Sequence, residues 1–530
     1  MNSGPAEAQH AALPAEKTVA QTEGSAAPSA AAPSSSAGPI DRLLAATADS
    51  VAVAASSLQD FLAARTVSRS LDLWFGSSLP AQKAQIVRRL TRHIGEIDEL
   101  LNDQINAILH HPSFQKLEAS WRGLHYLVRQ ASAEGDPNVR VRVLNATWKD
   151  LERDFERSTE FDQSQLFRKV YDQEFGAPGG EPYGAIVGDY EIRPRPSSAH
   201  PHDDIATLKS IGQVAAAAFC PFIAGASPAM FGLDDFSKLE QRLDHAKTME
   251  QLDYLKWRAF RETEDARFVG LALPRVLMRT PFEDDGTRID RFTFQEDVAG
   301  PDRSKYLWGN AAYAFGAVLV RAYAQSGWLA DIRGVQRGVE GGGLVVELPE
   351  ASFRTDKRGV AGKTSTDVVI TDELEKHLAD IGFVPLCDCK DTNYSAFYSN
   401  QSVQKPKQYD RPAATTNAKL SSMLQYMLCV SRFAHYIKVQ VRDKVGSFAE
   451  PGELQDFLNG WVATYVTTDS SASQDTKASF PLREAKVQVR EQPGKPGSYQ
   501  CVMHLAPHYE LDELTAAIRI ATELVPPRGT

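Results

Sequence analysis

Apolar residues recur along much of the chain with the period of an α-helix. The pattern is strong from about residue 81, and Phe114, Leu117 and Trp121 lie at positions i, i+3 and i+7 of one stripe. Two short apolar runs farther on, 185–187 and 221–224, are typical of buried strands. Because helical and strand patterns alternate, the sequence predicts an α/β protein rather than an all-helical one.

The clearest alternation lies in the second half of the chain. The apolar run 368–370 is followed by a helical stretch, 371–382, and then by the apolar run 383–386. Gly382 stands where a glycine commonly ends a helix. This order predicts a β-α-β unit, so we expect a multi-layer α/β (mixed α+β) fold with mixed sheets flanked by helices.

A long helix is predicted over residues 417–444. Its apolar residues extend beyond one stripe and include Met423 and Leu428. A helix that is apolar on more than one side is buried on more than one side. Two interpretations stay open, burial within this chain alone or packing of part of the helix against another subunit.

The C-terminal region alternates with the period of a strand and predicts a β-hairpin, 485–505, followed by a helix. The side chains that face one way are those of Val487, Val489, Tyr499, Cys501 and Met503. An isolated hairpin is marginally stable, and one helix covers only one of its faces. Unpaired edges are an aggregation hazard. The hairpin is therefore either an ordinary sheet edge or a place where a strand of a neighbouring subunit docks.

The length of 530 residues exceeds what one hydrophobic core supports, and we expect about two or three domains. Residues 1–39 are rich in Ala, Ser and Pro, which predicts a disordered tail. Residues 40–80 have the pattern of short helices. We expect a main domain over 81–411 and a C-terminal domain, with the hairpin and final helix, over 412–530.

Charge and cysteine content exclude several classes of protein. A net charge of −10 disfavours nucleic-acid binding and membrane-surface binding, since both need a basic field. The uncharged run 210–233 is interrupted by Pro221 and Pro228, which favours a buried helix and strand over membrane insertion. Five cysteines form a sparse, odd set, so we expect a reducing compartment and no disulfide framework.

Two places in the chain imitate an active site but lack a required group. The run Gly362-Lys363-Thr364 resembles the end of a phosphate-binding loop, yet Lys357 occupies the position of the loop's first glycine. Ser227 follows a buried strand as a hydrolase nucleophile would. The next residue is Pro228, which has no N–H to serve as an oxyanion donor. Residues 362–364 are better interpreted as a solvated loop, and Ser227 as part of a tightly packed turn.

Metal and cofactor sites are equally unsupported. His200 and His202 lie in a loop before a helix, and their spacing matches no closed zinc set. Cys387 and Cys389 have no second cysteine pair. We therefore expect no catalytic, metal or cofactor-binding residue, and the residues alone indicate a structural or interaction protein. Two alternatives stay open: the chain is an enzyme of an undetected class, or it is another scaffold protein.

Eight stretches, in order along the chain, resemble one family of proteins. They are LHHPSFQKLEASWRGL at 109–124, PFIAGAS at 221–227, LALPRVLM at 271–278, YLWGNAAY at 306–313, FVPL at 383–386, NQSVQKP at 400–406, SRFAHY at 431–436 and PLREA at 481–485. These stretches resemble the large subunit of the type VI secretion contractile sheath, the family called TssC, VipB, ImpC or EvpB. The resemblance runs from about residue 90 to residue 524.

The resemblance implies a structural role in the bacterial cytoplasm. Members of this family pair with a small subunit, TssB, and polymerise as a helical sheath around the Hcp tube. Contraction drives the tube and its spike outward, baseplate components hold the sheath, and the ATPase ClpV dismantles it afterwards. The resemblance implies no enzymatic activity, no cofactor, no nucleic acid and no membrane insertion.

The resemblance also assigns expectations to particular residues. Met423 and Leu428 become candidates for packing against TssB, and the hairpin residues listed above become candidates for strand pairing between subunits. Candidates for ClpV recognition are Ile40, Leu43 and Leu44, with a packed helix as the alternative. Candidates for contact with the tube are Asp512, Glu513 and Arg519 on the final helix, with a solvated face as the alternative.

Overall fold

A computed structural model describes most of the chain between residues 59 and 508. The described residues are 59–76, 79–80, 82–136, 138–198, 200–241, 244–284, 286–287, 292–300, 302–335, 340–353, 362–390, 392–444, 451–469, 471–491 and 499–508. The chain divides into two compact units, residues 1–100 and residues 101–530. No helix within these described ranges is both long and apolar enough to cross a membrane.

The described part of the first unit is helical. Helix α1 (Val67–Phe75) begins after Thr66, whose hydroxyl accepts a hydrogen bond from the backbone N–H of Arg69. Such a cap satisfies one of the N–H groups that have no partner within the helix. Helix α2 (Lys83–Leu109) starts in the same unit. It confirms the helical pattern predicted from about residue 81.

The second unit contains the remaining helices and all of the described strands. Its α-helices of five residues or more are α3 (Pro112–Glu134), α4 (Trp148–Arg157), α5 (Asp204–Ala218), α6 (His245–Met249), α7 (Leu255–Arg261), α8 (Ala311–Ser326), α9 (Asp372–Asp380), α10 (Pro412–Ser421), α11 (Leu424–Lys444), α12 (Pro451–Ala463) and α13 (Gln474–Ser479). Its strands are β1 (Ile186–Ile192), β2 (Phe222–Ala226), β3 (Val269–Leu273), β4 (Val276–Leu277), β5 (Trp308–Gly309), β6 (Leu344–Val345), β7 (Val384–Asp388), β8 (Ser395–Phe397), β9 (Leu482–Glu491) and β10 (Tyr499–Pro507). A π-helix, Arg168–Gly176, precedes β1.

A six-stranded mixed sheet forms the centre of the second unit. Its strand order is β1-β2-β3-β7-β8-β6. The first four strands are parallel, and β8 pairs antiparallel with both β7 and β6. This arrangement confirms the predicted mixed α/β fold class. Two further pairs, β4–β5 and β9–β10, lie outside the sheet.

Both faces of the mixed sheet are buried, because alternate residues of its strands enter two different cores. In β2, Phe222 and Ala224 belong to the core that contains α5, whereas Ile223 belongs to the core that contains α8. In β7, Val384 and Leu386 also face the α8 side. The two-residue period therefore produces a three-layer α/β/α body, as parallel strands require.

A third core lies under the C-terminal hairpin. It joins one face of α11, through Phe433, to the apolar face of α12, through Leu458. Val487 of β9 is completely buried there. Trp328 stacks on Phe433 with ring centroids 4.1 Å apart. The hairpin therefore rests on two helices instead of standing free.

The predicted β-α-β unit is wrong in its first strand. Helix α9 and strand β7 form as expected, but residues 368–370 pair with no strand in the described part of the chain. Val368 is nevertheless buried, and its carbonyl accepts a hydrogen bond from the hydroxyl of Thr366. The Thr366 hydroxyl thus satisfies the Val368 carbonyl without a neighbouring strand.

The single helix predicted over 417–444 is interrupted. Helices α10 and α11 are separated at Ser422 and Met423, where the segment beginning at Asn400 crosses the chain. The Leu424 N–H donates to the Asn400 carbonyl over 2.9 Å, and the Ser402 N–H donates to the Ser422 carbonyl over 3.1 Å. These bonds divert backbone groups that a continuous helix would use. No glycine or proline marks the break, so the sequence carried no local signal of it.

A buried ion cluster joins α3 to the chain between β4 and β5. The Arg279 guanidinium is 6% exposed and donates to Glu118 over 2.9 Å. It also donates to both carboxylate oxygens of Glu296, which is 1% exposed, over 2.5 and 3.0 Å. Glu296 accepts a further bond from the Phe282 N–H. Such a cluster depends on every partner, since removing one leaves a buried charge uncompensated.

The first prediction tests this cluster. Replacing Arg279 by Met should lower the free energy of unfolding by roughly 3–5 kcal/mol, because Glu296 keeps its charge in a buried place. Chemical denaturation followed by circular dichroism measures the change. The matched control is Arg129→Met, which breaks a pair with Glu347 that is at least half exposed, and it should cost less than about 1 kcal/mol. Equal losses in the two variants would contradict the prediction.

Candidate assembly interfaces

Strands β9 and β10 form the hairpin that the sequence predicted. Val487 lies opposite Met503, Val489 lies opposite Cys501, and the pairing continues to Tyr499 opposite Glu491. The hairpin is a sheet of two strands in the described structure. Its two outer edges therefore decide what the hairpin can bind.

The outer edge of β9 is occupied by side chains of α12. The Val487 N–H donates to the Asn459 side-chain oxygen over 2.8 Å, and the Asn459 amide donates back to the Val487 carbonyl over 3.0 Å. The Val489 N–H donates to the Gln455 side-chain oxygen over 3.1 Å. Asn459 and Gln455 thus imitate a neighbouring strand and close this edge. The sequence analysis missed both residues, although their i, i+4 spacing places them on one helix face.

This closure corrects one part of the sequence-based expectation. Val487 and Val489 are among the residues expected to pair with a strand of a neighbouring subunit, and pairing at the outer edge of β9 would require their N–H groups. Both groups already have partners within the chain. Strand pairing itself stays a prediction, and it moves to the other edge of the hairpin.

The outer edge of β10 is open within the described structure. Because the N–H groups of Val487 and Val489 point away from β10, these residues form non-hydrogen-bonded pairs with Met503 and Cys501. In such an antiparallel pair both residues direct their N–H and C=O groups outward. None of the described residues bonds to those outward groups of Cys501 or Met503. The side chain of Cys501 is half-buried, and burial raises the pKa of its thiol.

Met423 and Leu428 are both buried inside this chain. Leu428 is completely buried in the core that contains α8, and Met423 lies at the break between α10 and α11. The structure therefore supports the alternative that the sequence left open, burial within the chain. Neither side chain offers appreciable surface to a partner, so their expected contact with a small subunit has no support here.

Helix α3 presents the apolar stripe of the sequence analysis to solvent. Trp121 is 66% exposed and Leu117 is 56% exposed, and Phe114 and Val128 continue the same stripe. The core side of the helix instead consists of Ala119, Gly123, Tyr126 and Leu127. At Gly123 an added Cβ would lie 2.3 Å from the ring of Tyr313, so the close approach of α8 requires glycine. Large apolar side chains exposed together on one face of a helix are typical of an interaction surface.

Some candidate residues lie outside the described part of the chain. The residues proposed for ClpV recognition, Ile40, Leu43 and Leu44, belong to this group, as do the tail 1–39 and the tube-facing candidates Asp512, Glu513 and Arg519. For Tyr499, the backbone pairing is described and its side chain is not. These expectations and the domain boundaries at 80/81 and 411/412 stay predictions.

The residues that imitate active sites have structural partners. The Ser227 hydroxyl accepts a hydrogen bond from the Ala229 N–H and begins a short 3₁₀ helix. His200 contacts Asp204 over 2.7 Å, and His202 bonds to a carboxylate of α4. Asp203 is the N-cap of α5. Within the described ranges, no three His, Cys, Asp or Glu side chains converge as ligands for a metal ion.

Comparison with known families identifies the class of this protein. A family described as EvpB/VC_A0108, tail sheath N-terminal domain, matches residues 91–404. A second, described as EvpB/VC_A0108, tail sheath gpW/gp25-like domain, matches residues 413–524. Together the two matches include the mixed sheet, α3 and the C-terminal hairpin.

A curated relative is similar over most of its length. The type VI secretion system sheath protein TssC1 of Pseudomonas aeruginosa is 41% identical over 441 residues, which are 83% of this chain and 86% of the relative. Two solved assemblies are similar at low identity. The six-fold symmetrised baseplate of the anti-feeding prophage is 11% identical with a TM-score of 0.32, over 71% of this chain and 81% of that one. The contracted sheath complex of the extracellular contractile injection system PVC is 10% identical with a TM-score of 0.31. The match covers 62% of this chain and 68% of that one.

The chain is accordingly an assembly protein of the contractile tail-sheath class. It belongs to the type VI secretion sheath family of TssC/VipB proteins, as a structural sheath subunit. The resemblance drawn from eight short stretches of sequence is thereby confirmed.

The closed edge of β9 yields the second prediction. Replacing Asn459 by Ala leaves the N–H and C=O of the buried Val487 without partners, which should cost about 1–3 kcal/mol of stability. Hydrogen exchange at the Val487 amide should accelerate, and the midpoint of chemical denaturation should fall. Asp456→Ala, on the exposed side of α12, is the matched control and should change neither quantity. An unchanged rate of hydrogen exchange at the Val487 amide in the Asn459 variant would show that the β9 edge is closed in another way.

Proposed function

We propose that this chain is the large subunit of a contractile sheath that pairs with a TssB-type small subunit and polymerises around an Hcp-type tube. It works in the bacterial cytoplasm as a mechanical element, without catalysis or a cofactor, and without nucleic acid or insertion into a membrane. Baseplate components and the ATPase ClpV complete the set of proposed partners. The family membership of the chain supports this proposal.

One observation carries the proposal, the asymmetry between the two edges of the hairpin. The β9 edge is closed by Asn459 and Gln455, whereas the β10 edge presents outward backbone groups at Cys501 and Met503. Such an edge accepts one additional strand in a fixed register. Because main-chain hydrogen bonds tolerate tilting of the bodies that they connect, strand exchange suits a lattice that changes shape without dissociating.

The third prediction tests strand exchange at the β10 edge. The chain co-expressed with the TssB-type subunit of the same bacterium should form long tubes in negative-stain microscopy. The double variant Cys501→Pro/Met503→Pro removes two outward N–H groups but no bond between β9 and β10. We expect it to yield soluble heterodimers and no tubes.

The controls for this test separate docking from folding. Val502 lies opposite Gln488 in a hydrogen-bonded pair, so Val502→Pro breaks the hairpin itself. It should lower the thermal midpoint more than the double variant does, because the double variant keeps the ladder and loses only the packing of the Cys501 and Met503 side chains on the third core. Tubes of normal length from the double variant would refute docking at this edge.

The small subunit is proposed to pack on the exposed stripe of α3. Leu117 and Trp121 are large, apolar and more than half exposed on a helix that is otherwise well anchored in the body. The Glu118–Arg122 pair beside the stripe is formed over 2.7 Å, so these charges are neutralised within the chain. An amphipathic helix with an uncharged face fits this surface.

The fourth prediction concerns pairing through this stripe. The double variant Leu117→Asp/Trp121→Asp should lose co-purification with the TssB-type subunit, because charges replace the apolar contact. The fold of the chain should persist, since neither side chain lies in its core. The matched control is Leu252→Asp, at a residue that is 85% exposed elsewhere in the second unit, and it should co-purify normally. A normal pair from the Leu117/Trp121 variant would exclude α3 as the pairing surface.

A further inference from the structure

Two histidines lie ring to ring between α6 and α9. His245 is the first residue of α6 and is 1% exposed. His377 belongs to the last turn of α9. The two ring centroids are 5.9 Å apart, and the ring planes are tilted by 42°. The pair therefore forms a tertiary contact between two helices that are far apart in the sequence.

The surroundings of His245 are aromatic and apolar. The ring of Phe231 meets the His245 ring edge to face, with centroids 5.3 Å apart. Phe231 also contacts Phe383 at 4.9 Å, and Phe383 in turn lies nearly parallel to Trp257. These three residues are buried in the core that contains α5. His245 thus packs at the edge of an aromatic cluster as one more ring.

The ring nitrogens of the pair are buried without hydrogen bonds. Neither nitrogen of His245 has a partner among the described residues, and the buried Nε2 of His377 has none either. A neutral imidazole has one N–H donor, whereas a protonated imidazole has two and carries a charge. A buried charge without partners costs far more than a buried neutral group without partners. The site therefore accepts the neutral ring of His245 and opposes the protonated one.

The charged groups near the pair do not offset a proton on His245. The acidic group that faces it is Asp244, and this carboxylate is already bonded to Lys247, through the backbone N–H over 3.1 Å and through Nζ over 2.9 Å. From α9 the facing group is His377, whereas the turn at 228–231 and α7 contribute uncharged aromatic rings to the cluster. Burial, and after it the charge of His377, lower the pKa of His245 below its usual 6.5, and Asp244 opposes this shift only in part.

We propose that His245 and His377 form an acid-sensitive latch, which two neutral rings close and which protonation of His245 opens by separating α6 from α9. An imidazolium held in the closed position faces a second histidine and a carboxylate that is already paired. Turning the charged ring toward water relieves both costs. Helix α6 is five residues long and contributes no strand to the mixed sheet, so it opens without disrupting that sheet. The latch belongs to the body of the subunit and does not depend on the proposed function.

The direction of the pH dependence follows from the linkage between protonation and opening. When the latch is open, His245 is in water and binds a proton near its usual pKa of 6.5. When the latch is closed, the same ring binds a proton only at lower pH. The closed form is therefore fully stable above about pH 6.5 and loses stability as the pH falls through that value. A histidine that gained an acidic partner would show the opposite sign.

The fifth prediction measures the opening of α6 by hydrogen exchange on the full chain. The N–H groups of Thr248 and Glu250 report on this helix, because they donate to the carbonyls of Asp244 and Lys247. After correction for the pH dependence of the intrinsic exchange rate, their opening constant should rise at least about threefold between about pH 7 and about pH 5.5. A constant that stays the same or falls over this range would overturn the proposal.

Two variants assign this response to His245. His245→Phe keeps an aromatic ring at the edge of the cluster and has no proton to take up, so the acid-induced rise should be lost. His245→Leu serves the same purpose if phenylalanine is too large for the site, and circular dichroism checks the fold of both. The matched control is His125→Phe, at an exposed residue of α3, which should respond like the wild type. A wild-type response in a folded His245 variant would overturn the assignment.

An NMR titration of the chain with ¹³C-labelled histidine tests the coupling of the two rings. The His245 signal is the one that His245→Phe removes, and its midpoint should lie below 6.5 in the wild type. In His377→Phe the midpoint should rise by at least about 0.2 pH unit, because the charge of the neighbouring ring is gone. Two imidazoles are also metal ligands, so the titration is repeated with EDTA. A midpoint that EDTA shifts would indicate a bound metal ion and would overturn the proposal, as would a midpoint unaffected by His377→Phe.

Discussion

The structure depends on one constraint, that a backbone N–H or C=O group must find a hydrogen-bond partner wherever water does not supply one. Helices satisfy the requirement internally, and the mixed sheet satisfies it between its strands. The hairpin satisfies it on one edge only, through Asn459 and Gln455 of α12. The outward groups of Cys501 and Met503, at the β10 edge, have no partner among the described residues, and this is where we propose that another chain adds a strand.

The rest of the second unit serves as a stiff body for those surfaces. Its two cores cover both faces of the mixed sheet, and a third core seats the hairpin on α11 and α12. The buried cluster of Arg279, Glu296 and Glu118 ties α3 to the chain around β4. A stiff body matters in a contractile lattice, because movement must be concentrated in the connections between subunits. The strand exchange that we propose would place such connections at the hairpin.

Several elements were predictable because their signal is local. The periodicity of α2, α3 and α9 and the alternation of β9 and β10 all appear in the structure at the expected places. Local patterns failed where a distant segment intervened. The break between α10 and α11 follows from bonds to Asn400 and Ser402, and residues 368–370 are buried without forming a strand. The break leaves no mark in the neighbouring residues, since contacts far apart in sequence decide it, whereas the Val368 carbonyl is satisfied by the hydroxyl of Thr366, two residues away.

The sequence by itself determined the class of fold, the helical and strand periods, the absence of a complete catalytic motif and the resemblance to one family. Those properties depend on residue type and spacing alone. Only the tertiary structure decided which apolar faces are buried. Met423 and Leu428 face this chain's own core, whereas Leu117 and Trp121, in an equally regular stripe, face solvent. Helical periodicity states that a face is apolar and does not state what covers it, because the covering element comes from elsewhere in the chain or from another chain.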